Sequence, residues 1–552
     1  MAPQHVHLPD GQTFTASPVF AGIAFRGDAV SHESHFPVGW TTVLHTEEER
    51  PVFKEGEAPA HGNDGSGTAK PEARTATDGD ADAMDTDAAA PASAAAASPP
   101  PKTKKRTRAF TKPTLQNDTL FISSISNPSS QDYTPPASPT RHIAMMLWVT
   151  LYWYFHQPEP EPYLHTSASQ MTPDKAKPSG EWRITIQRDG IFRGRNLIPK
   201  LERMGLIAAE DTSVGTFLDD TDPVWTRMFI TKRMFWQIPP GLFLFTLKPV
   251  KMLTPLPGSP AGSRPCTPMT DGEAQSLSLL TPQAAHSRIH SDLPGAPVPM
   301  DSSARSSCAI TPYFSTSHLP TYYPPPPLQY TFTGNIRHPI RSKPPRMGEV
   351  FYTRFLPSVG QYLSFRVASL SPQPVPYLGP VGPNPPKHSE TCNVPDSELM
   401  EAWLANPRVN KFWGDYHPKF LQNVVELKHS FPVIGMWDGV PFGYFEIYWV
   451  KEDILGQFLG SEASDFDRGL HVLVGEEWSR GRAPEWMTSL VHWCFIDDMR
   501  TMSVCLEPRV DNDRIMRHLD SAGFGKERQI SFPHKRSWYM RLRREAWSGP
   551  VL

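Results

Sequence analysis

The residues with the clearest chemical potential lie in one run, HVLVGEEWSRGRAPEW, from His471 to Trp486. An apolar strand feeds a charged, glycine-containing turn, and a helix begins at Pro484, a good first-turn residue. A strand entering a helix through such a loop leaves backbone N–H groups unpaired and the positive end of the helix dipole facing outward, a ready site for a pyrophosphate. Arg480 and Arg482 add charge at that place, and Gly481 and Ala483 permit close approach of a phosphate to the backbone. Arginine and glycine before a helix also occur in ordinary connecting loops, so the run by itself makes anion binding a candidate and no more.

The elements that must position this run can be read from the surrounding pattern. Helices are expected over 396–405 and 418–427, with a turn at 407–413 between them. Strands follow at 431–437, 443–450 and 469–474, the middle one alternating Tyr444, Glu446, Tyr448 against Phe445, Ile447, Trp449. The helix from Pro484 carries Trp486, Leu490, Trp493 and Cys494, and a strand follows at 503–506. A helix over 511–522 is stopped by Gly523, and strands at 528–532 and 537–543 complete the order.

The rest of the chain bounds the answer. Its 552 residues suffice for two to four domains, and 61 Pro with 36 Gly beside only 39% hydrophobic residues imply folded blocks separated by disordered ones. Charge nearly balances, 54 Lys and Arg against 57 Asp and Glu, which gives no global field for nucleic acid. Five widely spaced cysteines (Cys266, Cys308, Cys392, Cys494, Cys505) show no CxxC and no zinc spacing, as expected of free thiols in a reducing compartment. No basic-then-apolar leader opens the chain, and the apolar run 143–155 is too short for a bilayer, reading as a buried helix or strand. The expected location is the cytosol, with no membrane role.

Residues 1–53 read as short strands, and Arg227 to Leu247 as a hairpin turning at IPPG. The expected division is a folded N-terminal domain over 1–54 and 113–255, a disordered Ala/Asp/Pro insertion over 55–112, and a disordered Ser/Pro insertion over 256–320. A connector with return strands follows over 321–386, and a C-terminal domain over 387–547. Lys102, Lys104, Lys105, Arg106 and Arg108 suit either a nuclear import signal or simple solubility, and solubility is the plainer reading. Proline-directed phosphorylation at Ser259, Thr267, Thr281 and Thr311 is conceivable, but an inert insertion is the plainer reading there too.

Five runs in order, FRVASL (365–370), NPRVNKFWG (406–414), PFGYFEIYWV (441–450), DRGLHVLVGEEWSRG (467–481) and EPRVDN (507–512), resemble the hydroxamate acyltransferases of siderophore biosynthesis in the GNAT superfamily. The insertions and folded N-terminal half look like the fungal branch. The resemblance implies an α/β (α+β) architecture, with a GNAT acyltransferase fold in the C-terminal half and a degenerate, non-catalytic GNAT-like domain in the N-terminal half. It implies acyl transfer from a coenzyme A thioester, with no metal, to the hydroxylated side chain of N5-hydroxyornithine. The product would pass to a siderophore peptide synthetase. Alternatives are N6-hydroxylysine or another amine as acceptor, or a catalytically dead scaffold. Acetyl and anhydromevalonyl-like acyl groups are both compatible with the family; the absence of a peroxisomal C-terminal tripeptide leans to acetyl and the cytosol, although family members also occur in peroxisomes.

Carried over residue by residue, the resemblance makes His471 the candidate catalytic histidine and Asp511 a candidate catalytic carboxylate, with helix capping as the other reading of Asp511. Many bacterial members read EPDVRN where this chain has EPRVDN, so Arg509 and Asp511 stand exchanged. Val472, Val474, Arg480, Gly481, Arg482, Ala483 and Asn512 are the expected coenzyme A contacts. Arg408, Trp413, Glu446, Tyr448 and Trp449 are candidates for the amino-acid pocket, a carboxylate pairing an ammonium and an arginine a carboxylate; strand aromatics serve equally well as core. Leu519 stands where many GNAT enzymes carry a tyrosine acid, and Trp478 opens the pyrophosphate loop where Gln or Arg is usual.

Overall fold

A computed structural model of the chain describes residues 2–27, 39–51, 103–126, 139–194, 196–209, 228–244 and 328–552. The expected insertions therefore lie outside the described residues, apart from 103–112. The described residues of the compact unit Glu47–Arg108 are strand, so the basic cluster from Lys104 to Arg108 is not part of a structureless insertion. Everything else belongs to one larger unit, Met1–Thr46 with Ala109–Leu552.

The first half contains β1 (Gln4–His7), β2 (Thr13–Val19), β3 (Gly22–Gly27), β4 (Gly39–Pro51), β5 (Thr103–Ala109) and β6 (Asp118–Ser126). Then come α1 (Pro139–Phe155), β7 (Arg183–Ile186), α2 (Leu197–Arg203), β8 (Ala208–Ala209), β9 (Met228–Thr231) and the short α3 (Lys232–Trp236). The expected hairpin over 227–247 is instead a strand running straight into a helix. Thr231 makes that switch, its Oγ1 accepting a hydrogen bond of 3.1 Å from the backbone N–H of Met234. A small hairpin, β10 (Tyr330–Thr333) and β11 (Ile336–Pro339), leads into the second half.

The second half comprises β12 (Val350–Leu356), β13 (Gln361–Val367), α4 (Asp396–Ala405), α5 (Pro407–Trp413), α6 (Phe420–Glu426), β14 (Ser430–Trp437) and β15 (Val440–Trp449). It continues with α7 (Ile454–Leu459), β16 (Arg468–Val474), α8 (Ala483–Asp497), β17 (Ser503–Leu506), α9 (Asp513–Ser521), β18 (Gly525–Ser531) and β19 (Arg536–Arg543). The sheet thus begins at 350, upstream of the boundary expected at 387. The turn expected at 407–413 is helical, because Asn406 caps it and Pro407 fills its first position.

The two sheets have one topology. The order β1-β2-β3-β4-β6-β7-β9-β8, with β5 on the flank of β4, matches β12-β13-β14-β15-β16-β17-β19-β18 position by position. Each contains a single parallel junction, β6 with β7 and β16 with β17, bridged by α1 and α8 respectively as parallel strands require. The N-terminal half therefore repeats the sheet topology of the C-terminal half. It lacks the helices that the second half inserts between β13 and β14, since β2 turns directly into β3.

Residues 144–155 of α1 are buried without exception, so this helix is apolar all round and lies inside the protein. No helix among the described residues is long and apolar enough to cross a membrane. A single core runs through both halves, joining Trp148, Phe235 and Trp236 to Tyr352, Phe365 and Trp493. Trp236 meets the ring of His492 edge-on at 5.4 Å, and His492 accepts a 2.8 Å hydrogen bond from the hydroxyl of Tyr352. Burial first, then the positive charge of Arg354, lowers the pKa of His492 to about 3. His156 is likewise lowered to about 3, by burial and by Arg354 and Lys232.

Both histidines fold neutral, while the unfolded chain binds their protons below the ordinary histidine value near 6.5. Stability should therefore fall as pH drops through that value, by on the order of 2 kcal/mol per histidine at pH 5. Melting temperatures taken from pH 7 to pH 5 will decline, and the decline will be shallower in His492→Gln.

Candidate active site

The site is built where the second sheet opens. Strand β16 pairs with β17 only at Arg468–Val504 and Gly469–Cys505, yet stays paired to β15 as far as Val474. From Leu470 onward its other edge has no strand partner. Gly469 is required at the hinge, because a Cβ there would lie 2.1 Å from the ring of Tyr448. In the N-terminal sheet the corresponding junction stays closed. There β6 and β7 pair through Leu120–Ile186, the N–H of Gln187 donates to the carbonyl of Leu120, and the turn at Gly190 packs against β6 so tightly that a Cβ would sit 2.1 Å from the Ile122 oxygen.

A cavity of about 460 Å³ lies along the open edge of β16. Val472, Val474, Arg480 and Ala483 line it, as do Arg408, Trp413, Asp511 and Asn512, so these expected residues come together. Its rim is cationic. Glu477 is shared by Arg408 at 2.9 Å and Arg480 at 3.2 Å, and Arg514 stands beside them. Burial lowers the pKa of Arg480; Glu477 opposes the shift, and the charges of Arg408 and Arg514 add to it.

Six expected residues do not line the cavity; of these, His471, Glu446 and Tyr448 form a separate cluster, and Arg482, Gly481 and Trp449 lie elsewhere. Arg482 turns away, donating to Gln361 at 2.7 Å with its guanidinium over the Trp437 ring. Gly481 faces open space rather than a close neighbour. Trp449 lies under the guanidinium of Arg468 on the opposite face of β15 from Glu446 and Tyr448, as the alternation of a strand dictates. It is core, not amino-acid pocket.

His471 sits between two carboxylates. Its Nδ1 lies 2.7 Å from Glu446 Oε2 and its Nε2 lies 2.7 Å from Glu507 Oε1. Tyr444 donates to Glu446 at 2.9 Å and Tyr448 to Glu507 at 2.8 Å. Trp413 reaches from the cavity wall to meet His471 edge-on at 6.3 Å. Burial alone would lower the affinity of His471 for its proton, but the charge of Glu507 and hydrogen bonds to both carboxylates outweigh it and hold the pKa well above its ordinary value. Burial would raise Glu507, yet the imidazolium and Lys535 bring it down to about 2. In this state His471 is a cation donating both its protons.

Asp511 does not join this group. Its carboxylate is gripped by Arg509 at 2.6 and 2.9 Å at the exposed rim, where that hydrogen bond lowers its pKa. The carboxylates that touch His471 are instead Glu446 and Glu507. Nor is Asp511 the cap: α9 starts at Asp513, and the Asn512 side chain accepts from the N–H of Ile515 at 3.4 Å. Glu507 was legible in the sequence only as the first letter of EPRVDN. Its partnership with His471 follows from β17 lying beside β16, which no single-sequence pattern encodes.

The histidine's elevated pKa contributes stability that is present below its ordinary value and is lost as pH rises through the folded value; that of Glu507 is lost only as pH falls toward 2. Glu507→Gln should lower the pKa of His471 and cost about 2 kcal/mol, because it leaves a half-buried charge with one carboxylate partner instead of two. Ring-nitrogen chemical shifts followed against pH check the first, and denaturant unfolding the second; an unmoved histidine titration would refute the pairing.

Residues 393–532 match the family model of the acetyltransferase (GNAT) domain. Over 543 residues, 97% of this chain and the whole of the relative, the chain is 63% identical to an N5-hydroxyornithine acetylase of Beauveria bassiana. It is 32% identical to a hydroxyornithine transacylase of Ajellomyces capsulatus over 42% of this chain and 50% of that one. With an N(6)-hydroxylysine O-acetyltransferase of Escherichia coli it shares 36% identity over 35% of this chain and 56% of that one. The likeness to the first relative spans both sheets and leaves no part of that protein unmatched, so the chain belongs to the N5-hydroxyornithine acetylase family of GNAT-domain acyltransferases.

Proposed function

We propose that this protein transfers an acetyl group from acetyl-coenzyme A to the hydroxylated side-chain nitrogen of N5-hydroxyornithine, making a hydroxamate for siderophore biosynthesis. One observation carries the reading: a cation-rimmed cavity follows the unpaired edge of β16 and ends at Trp413 against His471, in a chain matched end to end by a hydroxyornithine acetylase.

The residues present fit a coenzyme A thioester. The free edge of β16 offers backbone groups to an extended amide chain, while Arg408, Arg480 and Arg514 would hold phosphates beside the N-terminus of α8. When bound, the thioester supplies an activated acyl group. The closed junction of the N-terminal sheet offers no such edge, which supports a single active half.

Acyl transfer to a hydroxylamine removes one N–H proton and returns one to the leaving thiolate, so no net proton is exchanged. A hydroxylamine is neutral near pH 7, and positioning dominates the barrier. His471 is already protonated and cannot accept the proton. Glu446, with 11% of its side chain accessible against 3% for Glu507, is the acceptor. Glu507 keeps the imidazolium in place between the two. Leu519, where related enzymes place a tyrosine acid, is buried in the core, which leaves His471 or water to protonate the thiolate. We place this activity in the cytosol, in keeping with the widely spaced cysteines, and its product on the way to a siderophore peptide synthetase, as the family resemblance implies.

Coenzyme A release from acetyl-coenzyme A should occur with N5-hydroxyornithine and be absent with ornithine. Equal turnover of N6-hydroxylysine would shift the acceptor, and silence with every hydroxylamine would overturn the acetyl reading. His471→Ala should lower kcat about 100-fold with acetyl-coenzyme A binding retained, whereas Arg480→Gln should raise KM for acetyl-coenzyme A about tenfold.

A further inference from the structure

The His471 cluster has a second cation that the acyl-transfer chemistry does not use. Lys535 closes the tight turn between β18 and β19, where the N–H of Phe532 donates to its carbonyl at 2.8 Å. Its Nζ donates to the backbone oxygen of Glu507 at 3.1 Å and lies 3.5 Å from Glu507 Oε1. The side chain is 24% accessible, so the ammonium is held at the cluster yet open to a ligand. It is not among the cavity-lining groups, whereas Trp413 joins the cavity to His471. The order from the cavity is thus Trp413, His471, Glu507, Lys535.

Charge balance makes the position informative. Glu446 and Glu507 carry two negative charges, and His471 with Lys535 carries two positive ones. The cluster is neutral before any acceptor arrives, so an amino-acid acceptor must find partners for its own charges within a balanced set. Lys535 is bound to Glu507 only through a long ion pair and a backbone carbonyl, and a lysine ammonium has three donors. It can therefore engage a further carboxylate without leaving Glu507. Contacts of 3.5 and 2.7 Å link Lys535 Nζ through Glu507 Oε1 to the ring of His471. An extended ornithine, roughly 6 Å from side-chain nitrogen to α-carboxyl carbon by standard bond lengths, with a hydrogen bond of about 3 Å at each end, spans more than these two contacts and so extends past the ring toward Glu446.

We infer that Lys535 reads the α-carboxylate of the amino-acid acceptor and so selects an amino acid over the corresponding diamine. The inference rests on the acyl-transfer reading above. The recognition is electrostatic: the acceptor's carboxylate meets Lys535 while its hydroxylamine lies at Glu446 and His471, on the far side of the cluster from the phosphates of the donor.

The test compares N5-hydroxyornithine with N-hydroxyputrescine, which lacks the α-carboxylate, using the full chain. Binding of each is measured by calorimetry and turnover by coenzyme A release with acetyl-coenzyme A. Wild type should prefer the amino acid about tenfold or more in both, the scale of a partly exposed charge pair. In Lys535→Met the preference should collapse toward unity, and Lys535→Arg should keep most of it. Any loss transmitted through Glu507 affects both acceptors equally and cancels in the ratio. A preference unchanged in Lys535→Met, whatever the absolute rates, or a wild type that binds the two alike, overturns the inference. Wild-type binding of hydroxyornithine that depends on Lys535, without coenzyme A release, would sink the acetyl-transfer reading and leave the recognition standing.

Discussion

A strand that loses its neighbour partway along its length is the constraint on which this molecule turns. Up to Gly469, β16 is an ordinary member of the sheet; beyond it, one edge keeps β15 and the other is bare. An unpaired edge is costly when buried, because its N–H and C=O groups forgo their partners. The protein leaves this edge on a cavity, where it can be satisfied by whatever enters. The same divergence separates β16 from the end of β17 by enough for side chains to meet across it, and there Glu507 takes hold of His471. Donor cleft and charged cluster are two results of one break in pairing.

The first half shows what the break costs, since it keeps the same strand order without it. Its parallel junction pairs further and is filled by the turn at Gly190, and the helices that carry Arg408 and Trp413 in the second half have no counterpart between β2 and β3. Freed from holding a ligand, that half supplies apolar surface. Trp148, Phe235 and Trp236 pack on the side of the molecule that supports α8 and β12. A half-buried imidazolium flanked by carboxylates needs such rigid surroundings, because its stability depends on hydrogen-bond geometry that a loose core would not maintain.

Much of this was legible in the chain and some was not. Periodicity located the strands and helices of the second half, and the run from His471 to Ala483 marked the turn that leads from β16 into α8 beside the cavity. Alternation along β15 put Glu446 and Tyr448 on one face and should have removed Trp449 from the pocket, had it been applied residue by residue. The exchange of Arg509 and Asp511 points to a carboxylate at the far end of EPRVDN from the one that meets His471. The two residues bind each other at the rim, and the glutamate that opens the motif is the one in contact with His471. Local sequence cannot show that choice, because it depends on how two strands distant in the chain lie side by side. The helix at 407–413 and the helical turn after Thr231 were missed for a simpler reason: capping residues decide short helices, and propensity does not.

The shared core has a consequence for how the chain can vary. Because the halves are joined by packing among Trp236, His492 and Tyr352 rather than by the peptide that runs between them, that peptide is under little demand for length. Closing a connection of twice the length costs only about 0.6 kcal/mol, far less than removing one large aromatic from such a core. Insertions between 244 and 328 are therefore thermodynamically cheap, and the chain can lengthen or rewrite that stretch while the catalytic half stays seated. The duplicated sheet acts, in effect, as a built-in partner subunit: within one chain it gives the kind of interface that two chains would otherwise have to assemble at a concentration-dependent cost.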